Sequence, residues 1–372
     1  MDSVPIFDGG NSREVWRSFC GRLGLLGGEA RRQFEVRFPS VVWVPNRAQE
    51  RPFRRWYRAP YPRTHVITFG NRTGKTEFLG EFLCGVTKGS RYVNPAWCDC
   101  DFFRALDVKR SSGTLTVWWV CDGEMMKLKA PDYKLIAKHI PDAVFKNKTN
   151  NGVYREIHIP TTGLDGSDVV NVVQVKTHDQ ASLAYAGENV DLIICDEPPP
   201  QEHWAEMGAR TINLAGEMGG RILIGGTPLK MAAFLLDVIE ESEDGGEAER
   251  GVVVHDEGSI WENCAGEELP EEIARRYGIE RDPETGVWDT RGHLSREGIE
   301  NAIKNWRKSG DPDEMDARVD GKFTHVQGRI YKVWNRDVHV IPDMPIPENW
   351  PVFMMCDPHD TRPDCAVFRP SS

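Results

Sequence analysis

Long hydrophobic runs are missing from this 372-residue sequence. The most apolar segment, Val190 to Cys195, is short and is interrupted by Asp191, whereas a membrane-spanning helix needs roughly 20 apolar residues. Hydrophobic residues make up 40% and charged residues 28%, a balance that excludes disordered and collagen-like chains. The first residues, Met1 to Pro5, have neither the basic charge nor the apolar stretch of a signal peptide. We therefore expect a soluble globular protein that stays in a cytoplasm.

Cysteine is sparse, with nine residues scattered from Cys20 to Cys365. This spread favours reduced thiols over a disulfide framework. Cys98 and Cys100 are the closest pair, and they are either half of a metal site or two ordinary loop residues. No second pair stands at the spacing of a zinc finger, so we favour two loop cysteines.

Positive charge is in deficit, since the formal net charge is −11. The molecule as a whole would not attract a polyanion, so any nucleic acid must meet a local basic face. Such a face exists between Arg47 and Arg63, where six arginines stand against the single acid Glu50. The aromatic residues interleaved with them are Phe53, Trp56 and Tyr57.

The chain contains no internal repeat, and from His65 onward it alternates between strand and helix patterns. Short apolar strands separated by helices predict an α/β fold with a mostly parallel sheet that is covered on both faces. The predicted strands are 66–69, 116–121, 169–175, 192–195 and 221–224, followed after residue 328 by 329–333, 337–341, 352–356 and 365–368. The predicted helices are 77–87, 125–139, 201–209, 270–277 and 295–306.

The most specific motif is Gly70-Asn71-Arg72-Thr73-Gly74-Lys75-Thr76, which lies between a predicted strand and a predicted helix. A P-loop needs this context, because its backbone N–H groups bind phosphate oxygens at the start of a helix. Lys75 would reach the β- and γ-phosphates, and the Thr76 hydroxyl would hold Mg²⁺. One feature departs from the standard pattern, because Phe69 stands where the first glycine is expected.

A second motif is the acid pair Asp196-Glu197 at the end of an apolar strand, followed by Pro198, Pro199 and Pro200. Asp196 would hold Mg²⁺ as a Walker B acid, and Glu197 would orient and deprotonate an attacking water. The simpler alternative is a strand end that carries two solvated acids. The P-loop upstream makes the catalytic interpretation the stronger one.

Three further residues are candidates for catalysis. Thr227 follows the strand 221–224 and would sense the γ-phosphate. The alternative is that this segment is simply a strand followed by a Gly-Gly turn. Arg72 and Arg210 would each supply positive charge to a transition state, acting either within the chain or on a neighbouring subunit. Either arginine is otherwise an ordinary surface residue.

Taken together, these motifs resemble those of the large terminase subunits of tailed bacteriophages. The resemblance covers the chain from about residue 45 to its end and explains the departure at Phe69, because that family's P-loop often lacks the leading glycine. The segments that carry it are 45–49 (PNRAQ), 70–76 (GNRTGKT), Ala186-Gly187, 196–199 (DEPP), 225–229 (GGTPL), 317–321 (ARVDG), 328–331 (GRIY) and 339–341 (HVI).

The resemblance implies a RecA-like P-loop ATPase with a mostly parallel central sheet, followed by the first strands of an RNase H-like nuclease domain. It divides the chain into an N-terminal segment (1–45), an ATPase core (46–235), a lid/linker subdomain (236–325) and an incomplete nuclease domain (326–372). The implied activity is ATP-driven translocation of double-stranded DNA into a procapsid in the host cell cytoplasm, with Mg²⁺ as cofactor. The implied partners are double-stranded DNA, the portal protein ring, the small terminase subunit and further copies of this chain in a ring.

Two residue roles come from the resemblance alone. Gln49 matches the glutamine that reads the adenine, and Asp357 matches the first metal-binding aspartate of the nuclease. Asp357 otherwise just opens the turn that leads to Asp364. Two-metal cleavage needs several convergent carboxylates, and few residues follow Asp357, so we expect no endonuclease activity from this chain.

Three functions remain open at this point: a terminase-type translocase, another nucleic-acid-stimulated P-loop ATPase or helicase, and an assembly subunit that uses the nucleotide as a switch. Glu197 favours the enzymes, because a switch needs no carboxylate beside the Mg²⁺ ligand. The arginines between Arg47 and Arg63 would contact DNA, or they would belong to the adenine pocket and a subunit contact. We favour the second use, because Gln49 lies among them.

Overall fold

The computed structural model describes residues 30, 32, 33, 35, 39–94, 97, 99–112, 114–187, 189–212, 220–228, 233–244, 253–308, 312–323, 353–357 and 364–368. The chain divides into two compact units, Met1–Val326 and Gln327–Ser372. Within the described ranges, no helix combines the length and the apolar character that a bilayer crossing requires.

An eight-stranded sheet is the centre of the first unit. Its strands are β1 (Thr64–Phe69), β2 (Thr116–Cys121), β3 (Val144–Lys148), β4 (Tyr154–Thr162), β5 (Asp168–Thr177), β6 (Leu192–Asp196), β7 (Arg221–Gly226) and β8 (Val253–Gly258). They lie in the order β3-β4-β5-β2-β6-β7-β1-β8, and every neighbouring pair from β5 to β8 is parallel. One strand, β7, therefore separates β1 from β6. The predicted mostly parallel α/β fold is confirmed.

Ten helices accompany the sheet in the described part of this unit. They are α1 (Pro39–Val42), α2 (Arg47–Arg55), α3 (Lys75–Thr87), α4 (Asp101–Ser112), α5 (Pro131–His139), α6 (Gln201–Arg210), α7 (Ala233–Asp244), α8 (Glu271–Arg276), α9 (Arg296–Arg307) and α10 (Pro312–Asp320). Short 3₁₀ turns lie at Ser90–Tyr92, Gly123–Met126, Ser182–Tyr185 and Ile260–Asn263.

Both faces of the central parallel strands β1, β2, β6 and β7 are buried, as the sequence predicted. Consecutive residues of one strand enter opposite cores, because side chains alternate along a strand. Ile67 and Ile194 belong to an aromatic-rich core with α2, α3 and α4, whereas Val66 and Ile193 belong to a second core with α6 and α7. Near-continuous apolar strands are the expected result of this two-sided burial.

The antiparallel part of the sheet was not predicted from the sequence. β3 pairs with β4 and β4 with β5 in antiparallel register, and β3 is the edge strand. Its residues are mostly exposed, so the strand lacks the apolar run by which buried strands are recognised.

The structure differs from the sequence predictions at two further places, the start of α5 and the region 236–325. The helix predicted over 125–139 begins only at Pro131, because proline favours the first helical turn. β8 lies within the region predicted as lid/linker, yet it pairs in parallel with β1 in the main sheet. The following residues form a third core, in which Ile260 and Leu269 pack with Ile299.

The second unit contains β9 (Phe353–Asp357) and β10 (Asp364–Phe368), which pair in antiparallel register. Strands were predicted at 352–356 and 365–368, and both are present. The strands predicted at 329–333 and 337–341 lie outside the described residues, as do the motifs at 328–331 and 339–341.

Candidate functional site

The turn between β1 and α3 has the conformation of a phosphate-binding loop. Gly74 precedes the first helical residue and adopts a left-handed backbone with φ of 99°, which glycine tolerates best. Gly70 is required for a different reason, because a Cβ there would lie 2.5 Å from the carbonyl oxygen of Val319. Gly70, which follows the position where the standard P-loop has its first glycine, therefore allows close contact with the end of α10.

The acid pair lies at the carboxyl end of β6, two strands away from β1. Glu197 adopts a left-handed backbone with φ of 75°, and its N–H donates to the carbonyl of Gly225 at 2.8 Å. This kink turns the chain out of the sheet before the three prolines, and it directs the Glu197 side chain toward β7.

Lys75 connects the two motifs. Its Nζ lies 3.6 Å from Oδ1 of Asp196 and forms a close ion pair with Glu197. The lysine stem crosses β7 at Gly225, where an added Cβ would lie 3.0 Å from the Lys75 Cγ. Gly225 and Gly226 are thus residues of β7 and not a turn after the strand. Gly225 leaves room for the lysine, and Gly226 leaves room for Pro198.

Electrostatics keep Lys75 charged. Burial disfavours its ammonium, yet the charges of Asp196 and Glu197 outweigh burial and raise its pKa above the ordinary value. The site therefore holds a protonated lysine between two carboxylates, at the place where phosphate oxygens would enter.

A further carboxyl group, Asp132 at the start of α5, was not anticipated from the sequence. It is fully buried, and its Oδ2 accepts a hydrogen bond from Nε1 of Trp119 at 2.8 Å. Burial raises the pKa of this carboxyl well above its ordinary value, and the charge of Asp196 raises it further.

Thr227 joins the P-loop to the acid pair. Its N–H donates to Oε2 of Glu197 at 3.4 Å, and its hydroxyl donates to Oδ1 of Asn71 at 3.4 Å. The residue predicted as a sensor thus contacts both halves of the site.

The site also contains oxygen atoms suited to a bound cation or phosphate. Thr73 Oγ1 and Asp196 Oδ1 are buried and have no hydrogen-bond partner among the described residues. Thr76 is half-buried in the first turn of α3. No group of three or more His, Cys, Asp or Glu side chains in the described part of the chain has the arrangement of a metal site. The set still suits Mg²⁺, which commonly uses one or two protein oxygens together with phosphates and water.

Some predicted residues lie elsewhere. Arg210 donates to the carbonyl of Gly187 at 2.6 Å, and its own carbonyl accepts from Val190. Both partners precede β6, so Arg210 lies at the amino end of that strand, roughly 15 Å from the acid pair. It does not reach the P-loop of its own chain, and a role on a neighbouring subunit stays a prediction.

Arg72 and Gln49 both lie at the P-loop, in different environments. Arg72 has an exposed side chain at the tip of the loop, with a left-handed φ of 65°. Gln49 is buried on α2, and its side-chain amide donates to the carbonyl of Gly74 at 2.6 Å. Asp357 is the last residue of β9 in the second unit, and its side chain lies outside the described part of the structure.

Five of the six arginines between Arg47 and Arg63 form ion pairs, four of them with acids from distant segments. The ion pairs are Arg47 and Arg51 with Glu262, Arg54 with Glu50, Arg55 with Asp256, and Arg58 with Asp101. The cluster ties α2 to β8 and to the 3₁₀ turn that follows it, and its charge is therefore compensated within the fold. This arrangement weakens the hypothesis that these arginines contact DNA, because their charges are already paired with acids of the chain.

Asp256 provides a test of this packing. Burial opposes its ionisation, but His65 and Arg55 outweigh burial and hold its pKa at about 2, below the ordinary value of 3.8. A lowered folded-state pKa stabilises the fold above pH 4, and this contribution is lost as the pH falls toward 2. We expect Asp256→Asn to lower the free energy of unfolding by about 2 kcal/mol at pH 7, as measured by urea unfolding.

The same comparison at pH 3 should show a smaller difference between Asp256→Asn and the wild type. The exposed Asp168→Asn serves as the control and should change the unfolding free energy by less than about 0.5 kcal/mol. A loss that is equal at both pH values would contradict the role of the ionised carboxylate.

Comparison with known proteins gives only distant structural similarities. No protein-family model and no curated protein matches the chain. The large terminase of a thermophilic bacteriophage, in complex with ADP, aligns at 12% identity and a TM-score of 0.44, over 88% of this chain and 65% of that one. The ATPase domain of the Thermus phage P74-26 large terminase aligns at 13% identity and a TM-score of 0.37, over 77% of this chain and 97% of that one.

The bacteriophage HK97 large terminase aligns at 13% identity and a TM-score of 0.44, over 78% of this chain and 54% of that one. The chain thus spans about two thirds of the ADP-bound terminase and about half of the HK97 protein. Because the similarities are this distant, we infer function from the chain's own residues.

Proposed function

We propose that this chain is the ATP-hydrolysing motor of a large terminase, which translocates double-stranded viral DNA into a procapsid. The observation that carries the ATPase part is the meeting of Lys75 with Asp196 and Glu197 across Gly225. These are the groups that phosphoryl transfer to water requires: a phosphate clamp, a cation ligand and a base.

The P-loop would bind the phosphates through the N–H groups of the first turn of α3, which have no partner within a helix. Lys75 would leave Glu197 and contact the β- and γ-phosphate oxygens. The Thr76 hydroxyl and the Asp196 carboxylate would hold Mg²⁺, which neutralises the charge that develops on the phosphates when it is bound.

Glu197 is the base in this proposal. Once Lys75 turns to the phosphates, the Glu197 carboxylate is free to orient a water and to accept its proton. The Thr227 N–H, which contacts Oε2 of Glu197, holds the carboxylate in place. A pure nucleotide switch has no use for this group, so the arrangement favours an enzyme.

DNA packaging is supported by the order of the motifs, from Gln49 through the P-loop and the acid pair to Thr227. In this proposal the partners are double-stranded DNA, a portal protein ring, a small terminase subunit and further copies of the chain in a ring. Arg72, exposed at the tip of the loop, and Arg210 are the candidates for a charge supplied to a neighbouring subunit. The place of action would be the host cell cytoplasm, at the procapsid portal.

The test is the ATPase rate of the purified chain alone, with double-stranded DNA, and with DNA plus portal-bearing procapsids. A packaging motor should respond severalfold to portal-bearing procapsids and not to procapsids that lack the portal. Stimulation by single-stranded nucleic acid with no response to procapsids would instead favour the helicase alternative. Absence of any ATPase activity would contradict both.

A further inference from the structure

Three consecutive carbonyl groups of the P-loop are each held by a side-chain amide. The carbonyl of Arg72 accepts from Nδ2 of Asn263 at 2.8 Å. The carbonyl of Thr73 accepts from Nδ2 of Asn46 at 2.8 Å, and that of Gly74 accepts from Nε2 of Gln49 at 2.6 Å. The three amides come from two separate parts of the chain.

Asn46 and Gln49 are themselves locked to one another at the start of α2. The Asn46 Oδ1 accepts from the Gln49 N–H at 3.0 Å, and the Gln49 Oε1 accepts from the Asn46 N–H at 2.9 Å. This reciprocal capping box fixes both side chains, and the two residues are only 3% and 4% exposed. Their amide groups therefore meet the P-loop with little freedom to move.

The geometry of the peptide bond links these contacts to phosphate binding. A trans peptide unit points its C=O and the next N–H in opposite directions. Holding the carbonyls of Thr73 and Gly74 on the outer side thus directs the N–H groups of Gly74 and Lys75 inward. Inward N–H groups are what a phosphate-binding turn presents to the anion.

We propose that Asn46, Gln49 and Asn263 are positioning residues that preset the P-loop for the triphosphate whatever base it carries. This inference rests on the proposed function, since it requires that a triphosphate binds this turn. Both polar groups of Gln49 are engaged by the chain itself, and the side chain is almost fully buried. We therefore assign Gln49 a role in shaping the phosphate loop.

Three substitutions remove single contacts. Gln49→Glu keeps the acceptor for the Asn46 N–H and loses the donor to Gly74, Asn46→Ser keeps a helix cap and loses the donor to Thr73, and Asn263→Asp loses the donor to Arg72. Each should weaken the binding of inorganic tripolyphosphate and of ATP alike: by about tenfold for the uncharged Asn46→Ser, as expected for one lost hydrogen bond to a backbone carbonyl, and by more for the two carboxylate variants, whose negative charge also repels the phosphates. The preference for ATP over GTP should stay unchanged.

The binding is measured by calorimetry with tripolyphosphate, ATP and GTP on the full chain. Asn171→Asp is the matched control, because its buried Nδ2 also holds a backbone carbonyl, that of Thr87 at 2.6 Å, away from the P-loop. This control should bind all three compounds as the wild type does. Circular dichroism monitors folding, and the uncharged Asn46→Ser and Asn263→Ala carry the conclusion if a carboxylate variant fails to fold.

The inference is overturned if Gln49→Glu binds tripolyphosphate normally but loses its preference for ATP over GTP, because Gln49 would then read the base. It is also overturned if the folded variants all bind tripolyphosphate as tightly as the wild type. If the wild-type chain binds neither tripolyphosphate nor ATP, the proposed function itself fails, and that outcome is distinct from the other two.

Discussion

Replacing Lys75 by alanine should reduce ATP turnover at least about 100-fold, because the P-loop would lose its charged phosphate contact. The loss has a second cause in this structure. Without the ammonium, Asp196 and Glu197 face the incoming phosphates with uncompensated negative charge. We expect the affinity for ATP to fall together with the turnover, as measured by calorimetry and phosphate release.

Lys88→Ala is the matched control for Lys75→Ala. Lys88 follows the last residue of the same helix, α3, and it also pairs with a carboxylate, that of Asp142 at 2.6 Å. Its removal can lower stability but should leave turnover per folded molecule within about twofold of the wild type. If Lys75→Ala turns over ATP like this control, the P-loop is not the site of hydrolysis.

The second large effect is expected for Glu197→Gln. Glutamine keeps the size of the side chain but cannot accept the proton of an attacking water, so kcat should fall by about 10² to 10⁴-fold. Nucleotide binding should be retained or become tighter, because Lys75 would no longer be held by a carboxylate at position 197. The turnover is measured by phosphate release, and the affinity is measured with a fluorescent ADP analogue.

Glu202→Gln on the exposed side of α6 provides the comparison for Glu197→Gln. Its side chain is 72% exposed, so the same chemical change should leave kcat and affinity as in the wild type. Wild-type hydrolysis by Glu197→Gln would exclude Glu197 as the base, and a loss of binding without a loss of kcat would indicate a role in holding the nucleotide.

Local sequence signals were enough to predict the P-loop and the acid-bearing strand. Gly74, the Lys75-Thr76 pair and the apolar strand that ends at Asp196 each have a short-range cause, whereas Gly70 is required by its contact with Val319, which lies far along the chain. Glycine permits the left-handed turn, and a strand that ends in acids places them at an edge of a parallel sheet. The same reasoning misjudged Gly225 and Gly226, which are strand residues whose small size makes room for Lys75 and Pro198.

No sequence pattern predicted the ion-pair and hydrogen-bond partners that come from distant parts of the chain. The acids that neutralise Arg51 and Arg55 are Glu262 and Asp256, and neither is related to them by any spacing. Asn263 likewise gave no indication that it would hold the Arg72 carbonyl. Asn46 and Gln49 do have the spacing of a capping box, which is a usable signal for the start of α2, but not for its contact with Gly74.

The amino-acid sequence by itself determined which side chains of this protein can bind a phosphate and activate a water, because these residues stand in short motifs with local backbone preferences. The tertiary structure decided that Lys75 and the acid pair meet. The order of strands in the sheet places β7 between β1 and β6, and only a glycine at the crossing point lets the lysine span it. Strand order is set by packing between segments far apart in the chain, and for that reason no local pattern contains it.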